Sequence, residues 1–137
     1  MSPPYDGGCH CGRLRFRISV EPTNAGYCHC SICRRTTGAP VLGWATVPIE
    51  GFEMIVGEAR SYASSEQGSR LFCGTCGTQL LYRYAKDPSA VEINLGCLDR
   101  PEAIAPRCHI YDADRVAWFQ VADDLPRHAG GGSESET

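Results

Sequence analysis

The chain has 137 residues, nine of them cysteine, with 42% hydrophobic residues and a formal net charge of −3. That is the size of a single domain with a modest core, and a chain this short gains stability from a metal staple. Lys86 is the only lysine, and an acidic balance of this kind argues against a nonspecific nucleic-acid binder, which carries a basic excess on one face.

The N-terminus, MSPPYDGG, is polar and Pro-rich and lacks the basic start and apolar run of a secretory signal. The first extended element expected is RLRFRIS over residues 13–19. There Leu14, Phe16 and Ile18 alternate strictly with Arg13, Arg15 and Arg17, the pattern of a half-buried strand. A short helical turn is expected after Cys30, because residues 31–37 hold no strong breaker. The apolar stretch from Ala39 to Ile49 is broken by Pro40, Gly43, Thr46 and Pro48, and is too short for a bilayer of ~30 Å. Its Val41–Val47 part reads as a strand, as do Met54–Val56, Arg70–Phe72, Thr78–Tyr84, Val91–Leu95 and Val116–Val121. No segment sustains a helical period over three turns. The expectation is an all-β, cytoplasmic domain over residues 4–127 with metal-bearing loops at strand ends, no membrane association, and a disordered tail over 128–137, where AGGGSESET offers nothing to bury.

Cysteine is the outstanding residue. With no visible signal and an odd count, metal ligation explains the cysteines better than a disulfide framework. Seven fall into three groups, Cys9-x-Cys11, Cys28-x-Cys30-x-x-Cys33 and Cys73-x-x-Cys76. The triplet already supplies three thiolates from one loop, and the two pairs together supply four. Four sulfurs close a structural zinc; three leave room for water or substrate, as at a catalytic zinc. Thiolate ligation favours Zn²⁺, two per chain, over harder cations. A competing reading closes the triplet with His29 or His109 into a second structural site. Cys97 and Cys108 sit in strand-like contexts and read as small hydrophobes. Trp44 and Trp118 read as aromatic core, with pocket walls as the alternative.

The ordered motifs GGCHCGRLRF, CHCSICRRTTGAP, FCGTCGTQL and LGCLDRPEAIAPRCHIYDADRVAW resemble the glutathione-dependent formaldehyde-activating enzyme family, which also includes centromere protein V. The resemblance runs from Gly7 to Trp118 and implies a β-tent-like fold of short antiparallel sheets. It implies a structural zinc on Cys9, Cys11, Cys73 and Cys76 and a catalytic zinc on Cys28, Cys30 and Cys33. It also implies a carbon–sulfur lyase whose substrates are a small-molecule thiol and an aldehyde, by default glutathione and formaldehyde, joined as S-hydroxymethylglutathione. Glutathione carries two carboxylates, which suit arginine forks, so Arg34 and Arg35 after the triplet are candidate substrate contacts. The alternative function is a non-catalytic, zinc-stabilised module that binds a protein or a nucleic acid. Sequence alone leaves the true substrate and the oligomeric state open.

Overall fold

The computed structural model of the chain describes residues 1–131. Among these described residues ten short strands form two sheets, with a single α-helix between the third and fourth strands. The strands are β1 (Tyr5–Gly8), β2 (Arg15–Ile18), β3 (Asn24–Cys28), β4 (Leu42–Pro48), β5 (Phe52–Val56), β6 (Arg60–Ala63), β7 (Gly68–Phe72), β8 (Gln79–Tyr84), β9 (Ala90–Asn94) and β10 (His109–Ile110); the helix is α1 (Ser31–Thr37). A three-stranded sheet has the order β1-β2-β5, and a seven-stranded sheet the order β10-β3-β4-β9-β8-β7-β6. All pairings are antiparallel except that of β10 with β3. The mostly-β architecture expected from the sequence is the one observed. No helix of the described residues is long and apolar enough to cross a membrane.

The alternation in residues 13–19 does what its period dictates: Leu14, Phe16 and Ile18 are buried, because successive strand side chains take opposite faces. They meet Val47, Leu80, Leu81, Val91 and Ile93 in one core between the sheets. A second, smaller cluster holds Cys28, Cys33, Trp44 and Cys108 beside α1. It combines three cysteine sulfurs and an indole in a small volume, whereas the main core is chiefly aliphatic and aromatic, with Cys9 and Cys73 at its margin.

One expected strand is absent. Val116–Val121 forms turns, and its only backbone hydrogen bond of this kind is Phe119 N–H to the Val116 carbonyl at 3.3 Å. The edge it could have joined is already taken. The free positions along His109–Tyr111 bond to Pro126, His128 and Gly130 at 2.8–2.9 Å. Trp118 in that loop is 77% exposed and so does not join the core expected for it, whereas Trp44 is buried. The same edge contacts carry ordered packing to Gly130, beyond residue 127; the remainder of the expected tail, residues 132–137, lies outside the described residues.

Candidate metal centres and the cavity above them

The first cysteine group is assembled from two loops of like construction. In each, a cysteine carbonyl accepts from the N–H of a glycine that closes a tight turn: Gly12 N–H to Cys9 at 3.1 Å, and Gly77 N–H to Cys73 at 2.8 Å. Gly12 and Gly77 have φ of +82° and +83°, a region that penalises any Cβ. The turns curl backbone donors onto sulfur. Leu14 N–H lies 3.3 Å from Cys9 Sγ, and the N–H groups of Thr75 and Cys76 each lie 3.4 Å from Cys73 Sγ. Cys9, Cys11, Cys73 and Cys76 consequently converge, with ligand atoms within 4.8 Å of one another. The Cys9–Cys11 and Cys11–Cys73 sulfur separations are 3.6 and 3.7 Å. A tetrahedron with Zn–S bonds of ~2.3 Å has edges of about 3.8 Å, which these two separations match. Thr78 Oγ1, 3.2 Å from Cys76 Sγ, helps hold that thiol toward the thiolate form, with a pKa of about 5, while its neighbours' sulfurs push Cys11 up to about 11.

The second group is built differently. Cys28 ends β3, Cys30 caps α1 by accepting the Cys33 N–H at 3.3 Å, and Cys33 sits in the first turn of α1. A cap plus one turn is the local geometry that places the sulfurs of a Cys-x-x-Cys pair on the same side. Cys28 and Cys33 sulfurs are 3.1 Å apart, well outside disulfide bonding, and none of the nine cysteines forms a disulfide. Hydrogen bonds from Cys28 and Cys33 concentrate negative charge on Cys30, whose pKa falls to about 2, and the same sharing drives Cys28 upward. Among the described residues, no further Cys, His, Asp or Glu joins this triplet. Cys97 and Cys108 stay apart from both groups: the Cys97 thiol donates to the Gln79 carbonyl at 3.2 Å, and Cys108 packs beside Cys28.

His29 and His109, either of which could have closed the triplet, are committed to each other. His29 Nε2 lies 2.8 Å from His109 Nδ1, and His109 Nε2 lies 2.9 Å from Asp123 Oδ2. Both rings are fully buried, and Tyr27 stacks on His109 at 4.8 Å between centroids. Asp123 accepts from His109 Nε2, so in the neutral pair His109 Nδ1 accepts from His29 Nε2. This relay fixes the Cys28–Cys30 loop from behind. Burial and the neighbouring His109 hold the His29 pKa below its ordinary value, consistent with a neutral ring.

A cavity of about 890 Å³ opens over the triplet, and Cys28, Cys30 and Cys33 are part of its wall. Trp44 and Ile32 supply apolar surface, and among the described residues Arg70 is its only cationic one. Arg70 is buried, with its guanidinium 4.4 Å above the Tyr82 ring, Nε donating to Ser64 Oγ at 3.1 Å and Nη1 lying 3.6 Å from Cys33 Sγ. Arg34 and Arg35 do not line this cavity. Arg34 Nη1 instead donates to the carbonyls of His29 and Asp114, at 3.2 and 3.0 Å, and Arg35 is exposed. The residues that sequence reasoning missed are thus Arg70, Asp123 and the paired roles of His29 and His109. Only strand register and 80-residue contacts reveal them.

The family model for the glutathione-dependent formaldehyde-activating enzyme matches residues 4–114. The chain belongs to that family. It is similar to an uncharacterised lyase of Schizosaccharomyces pombe, 31% identical over 94 residues, covering 67% of this chain and 66% of that protein. The chain therefore spans just under two thirds of that relative. It is also 29% identical over 127 residues to a Halomonas elongata protein named, provisionally, a glutathione-dependent formaldehyde-activating enzyme, covering 85% of this chain and 80% of the other. A crystal structure of a Rhodobacter sphaeroides protein superposes with a TM-score of 0.56 at 27% identity, covering 74% of this family member and 92% of that chain.

Proposed function

We propose that this chain is a zinc-dependent enzyme of carbon–sulfur lyase type that adds a thiol to an aldehyde, with glutathione and formaldehyde as default substrates and S-hydroxymethylglutathione as product. The single observation that carries the reading is the unequal pair of cysteine clusters: four sulfurs in a closed group on rigid turns, and three at the wall of a large cavity. Cys9, Cys11, Cys73 and Cys76 would hold a structural zinc, and Cys28, Cys30 and Cys33 a catalytic one. Bound there, zinc would supply a Lewis acid and a positive charge that favours thiolate over thiol.

The chain's own residues have definable parts. The thiol sulfur forms a bond to the carbonyl carbon, and the proton it gives up ends on the former carbonyl oxygen, so nothing is oxidised or reduced. Arg70 donates toward Cys33 and places fixed positive charge at the edge of the triplet. Trp44 and Ile32 keep that edge apolar, which strengthens each charge interaction made there. Arg34 braces the carbonyls of His29 and Asp114, and the His29–His109–Asp123 relay holds the loop from the far side.

The test is to mix glutathione and formaldehyde with purified protein and follow the adduct by NMR, with metal content measured alongside. The expected result is two zinc per chain and adduct formation faster than the spontaneous rate. Two bound zincs with no acceleration would refute the catalytic reading. Cys30→Ser is expected to leave a folded protein with one zinc and no activity.

A further inference from the structure

The cavity floor contains two charges that the protein leaves unbalanced. Strand register places Thr46 opposite Glu92, Glu92 opposite Tyr82, and Tyr82 opposite Arg70, across β4, β9, β8 and β7. Residues paired this way share one face of a sheet, so the four form a continuous row, and all four line the cavity. Glu92 and Arg70 stand two strand spacings apart, about 10 Å at the backbone.

Among the described residues neither side chain forms an ion pair with a carboxylate or a basic side chain, and the acidic group nearest Arg70 is the Cys33 thiol. Glu92 accepts only the Thr46 hydroxyl, at 2.7 Å, and Arg70 meets Ser64, Tyr82 and Cys33. The ion pairs among the described residues involve neither. Withdrawing charge from water is costly unless it is paired; Arg70 is buried and Glu92 half-buried, so a ligand that presents a carboxylate to one and an ammonium to the other gains at both. The rest of the wall sharpens the choice: Glu50, Glu66, Asp87 and Asp114 add acidic groups, and no second cation accompanies Arg70. A ligand with one carboxylate finds one place for it, beside Cys33. An ammonium finds Glu92.

We propose that Glu92 and Arg70 form a subsite for an amino-acid head group, so that the thiol taken by this cavity carries a free ammonium and a carboxylate, the carboxylate on Arg70 and the ammonium on Glu92. This deepens the reading of the cavity as the thiol site and rests on it. Burial raises the Glu92 pKa above its ordinary value in the free protein, and an ammonium in the subsite would draw it back down. Cysteine, γ-glutamylcysteine and glutathione all have such a head; cysteamine, 3-mercaptopropionate and N-acetylated thiols lack one half of it. Glu92 and Arg70 are therefore specificity-determining residues.

The test uses the zinc-loaded protein and titration calorimetry with S-methyl thioethers, which bind without reacting. S-methylcysteine and S-methylglutathione are expected to bind, and their N-acetyl derivatives to bind at least about tenfold more weakly, the loss of one charged hydrogen bond. Glu92→Gln is isosteric, retains an acceptor for Thr46, and is expected to erase the difference between free and acetylated ligands. Arg70→Gln is expected to weaken the zwitterions about tenfold or more. Should it fail to fold, Arg70→Lys, which keeps the charge but loses the planar fork, is expected to retain part of the affinity. Equal binding of free and acetylated ligands, a preference unchanged in Glu92→Gln, or no binding of either zwitterion overturns the subsite. The two proposals fail separately. Zwitterion binding without catalysis leaves the subsite standing and removes the enzyme, whereas turnover of cysteamine and 3-mercaptopropionate as fast as cysteine removes the subsite and leaves the enzyme.

Discussion

The two cysteine clusters use the same atom for opposite purposes. In the group of four, each pair of sulfurs lies on a tight turn with a left-handed glycine, and backbone N–H groups point at sulfur from both loops. The loops come from residues 9–12 and 73–77, so the cluster ties the small sheet to the large one. In the group of three, one loop supplies every sulfur, the support comes from side chains behind it, and the front faces a cavity. The difference teaches that rigidity and access are bought from different parts of the structure. The first cluster is held by its own backbone, the second by a relay on the side away from the cavity.

The comparison breaks most sharply at the sulfurs. Cys73→Ser is expected to cost the protein its fold, because apparent zinc-binding energies of about 10–16 kcal/mol in structural sites are folding energy. Far-ultraviolet circular dichroism and metal content check this, with Cys30→Ser as the folded counterpart. Equal unfolding of both variants would erase the distinction between the clusters.

His109→Gln probes the relay. It leaves His29 buried beside a poorly matched partner and Asp123 without its donor, and is expected to cost about 1–3 kcal/mol in urea unfolding. An effect within error would mean the relay does not support the loop. Gly12→Ala probes the turn of the closed cluster: nothing lies within 4 Å of the added methyl, so only the φ of +82° opposes it. The expected loss is about 1–2 kcal/mol, read from the same unfolding curves.

The smallest effect concerns Glu92. Burial raises its folded-state pKa above the ordinary 4.5, so the folded protein holds that proton more tightly than the unfolded chain. The associated stability is full below the unfolded pKa and is lost as pH rises through the folded one. Glu92→Gln removes that loss. Its melting temperature is expected to exceed the parent's at pH 7, by no more than about 1 kcal/mol in free energy, and to match it under acid conditions near pH 4. A gain that persists at pH 4 would assign it to something other than charge.

Much of this was legible before the fold. Alternation over residues 13–19 specified a strand, and cysteine spacing separated four sulfurs from three, because both signals are local. The strands that escaped notice lack the local signal: β1 is Tyr-Asp-Gly-Gly, β3 is Asn-Ala-Gly-Tyr-Cys with no apolar alternation, β6 is wholly exposed, and β10 is two residues long. Val116–Val121 carried the composition of a strand and none of its pairing. Arg70 and Glu92 look like ordinary strand polar residues until register aligns them through Tyr82. His29, Asp123 and His109 are separated by up to 94 positions, beyond the reach of any motif.

The parallel pairing of β10 with β3 has a consequence for how the molecule is made. A chain leaving the ribosome has all four ligands of the closed cluster once residue 76 has emerged, and could be stapled there while translation continues. The loop carrying the other three sulfurs is complete by residue 33, yet its brace is not synthesised until His109 and Asp123 follow. Biosynthesis therefore imposes a sequence on the two centres: the anchor can be set once residue 76 has emerged, and the loop of the triplet is fixed only after residue 123 has followed.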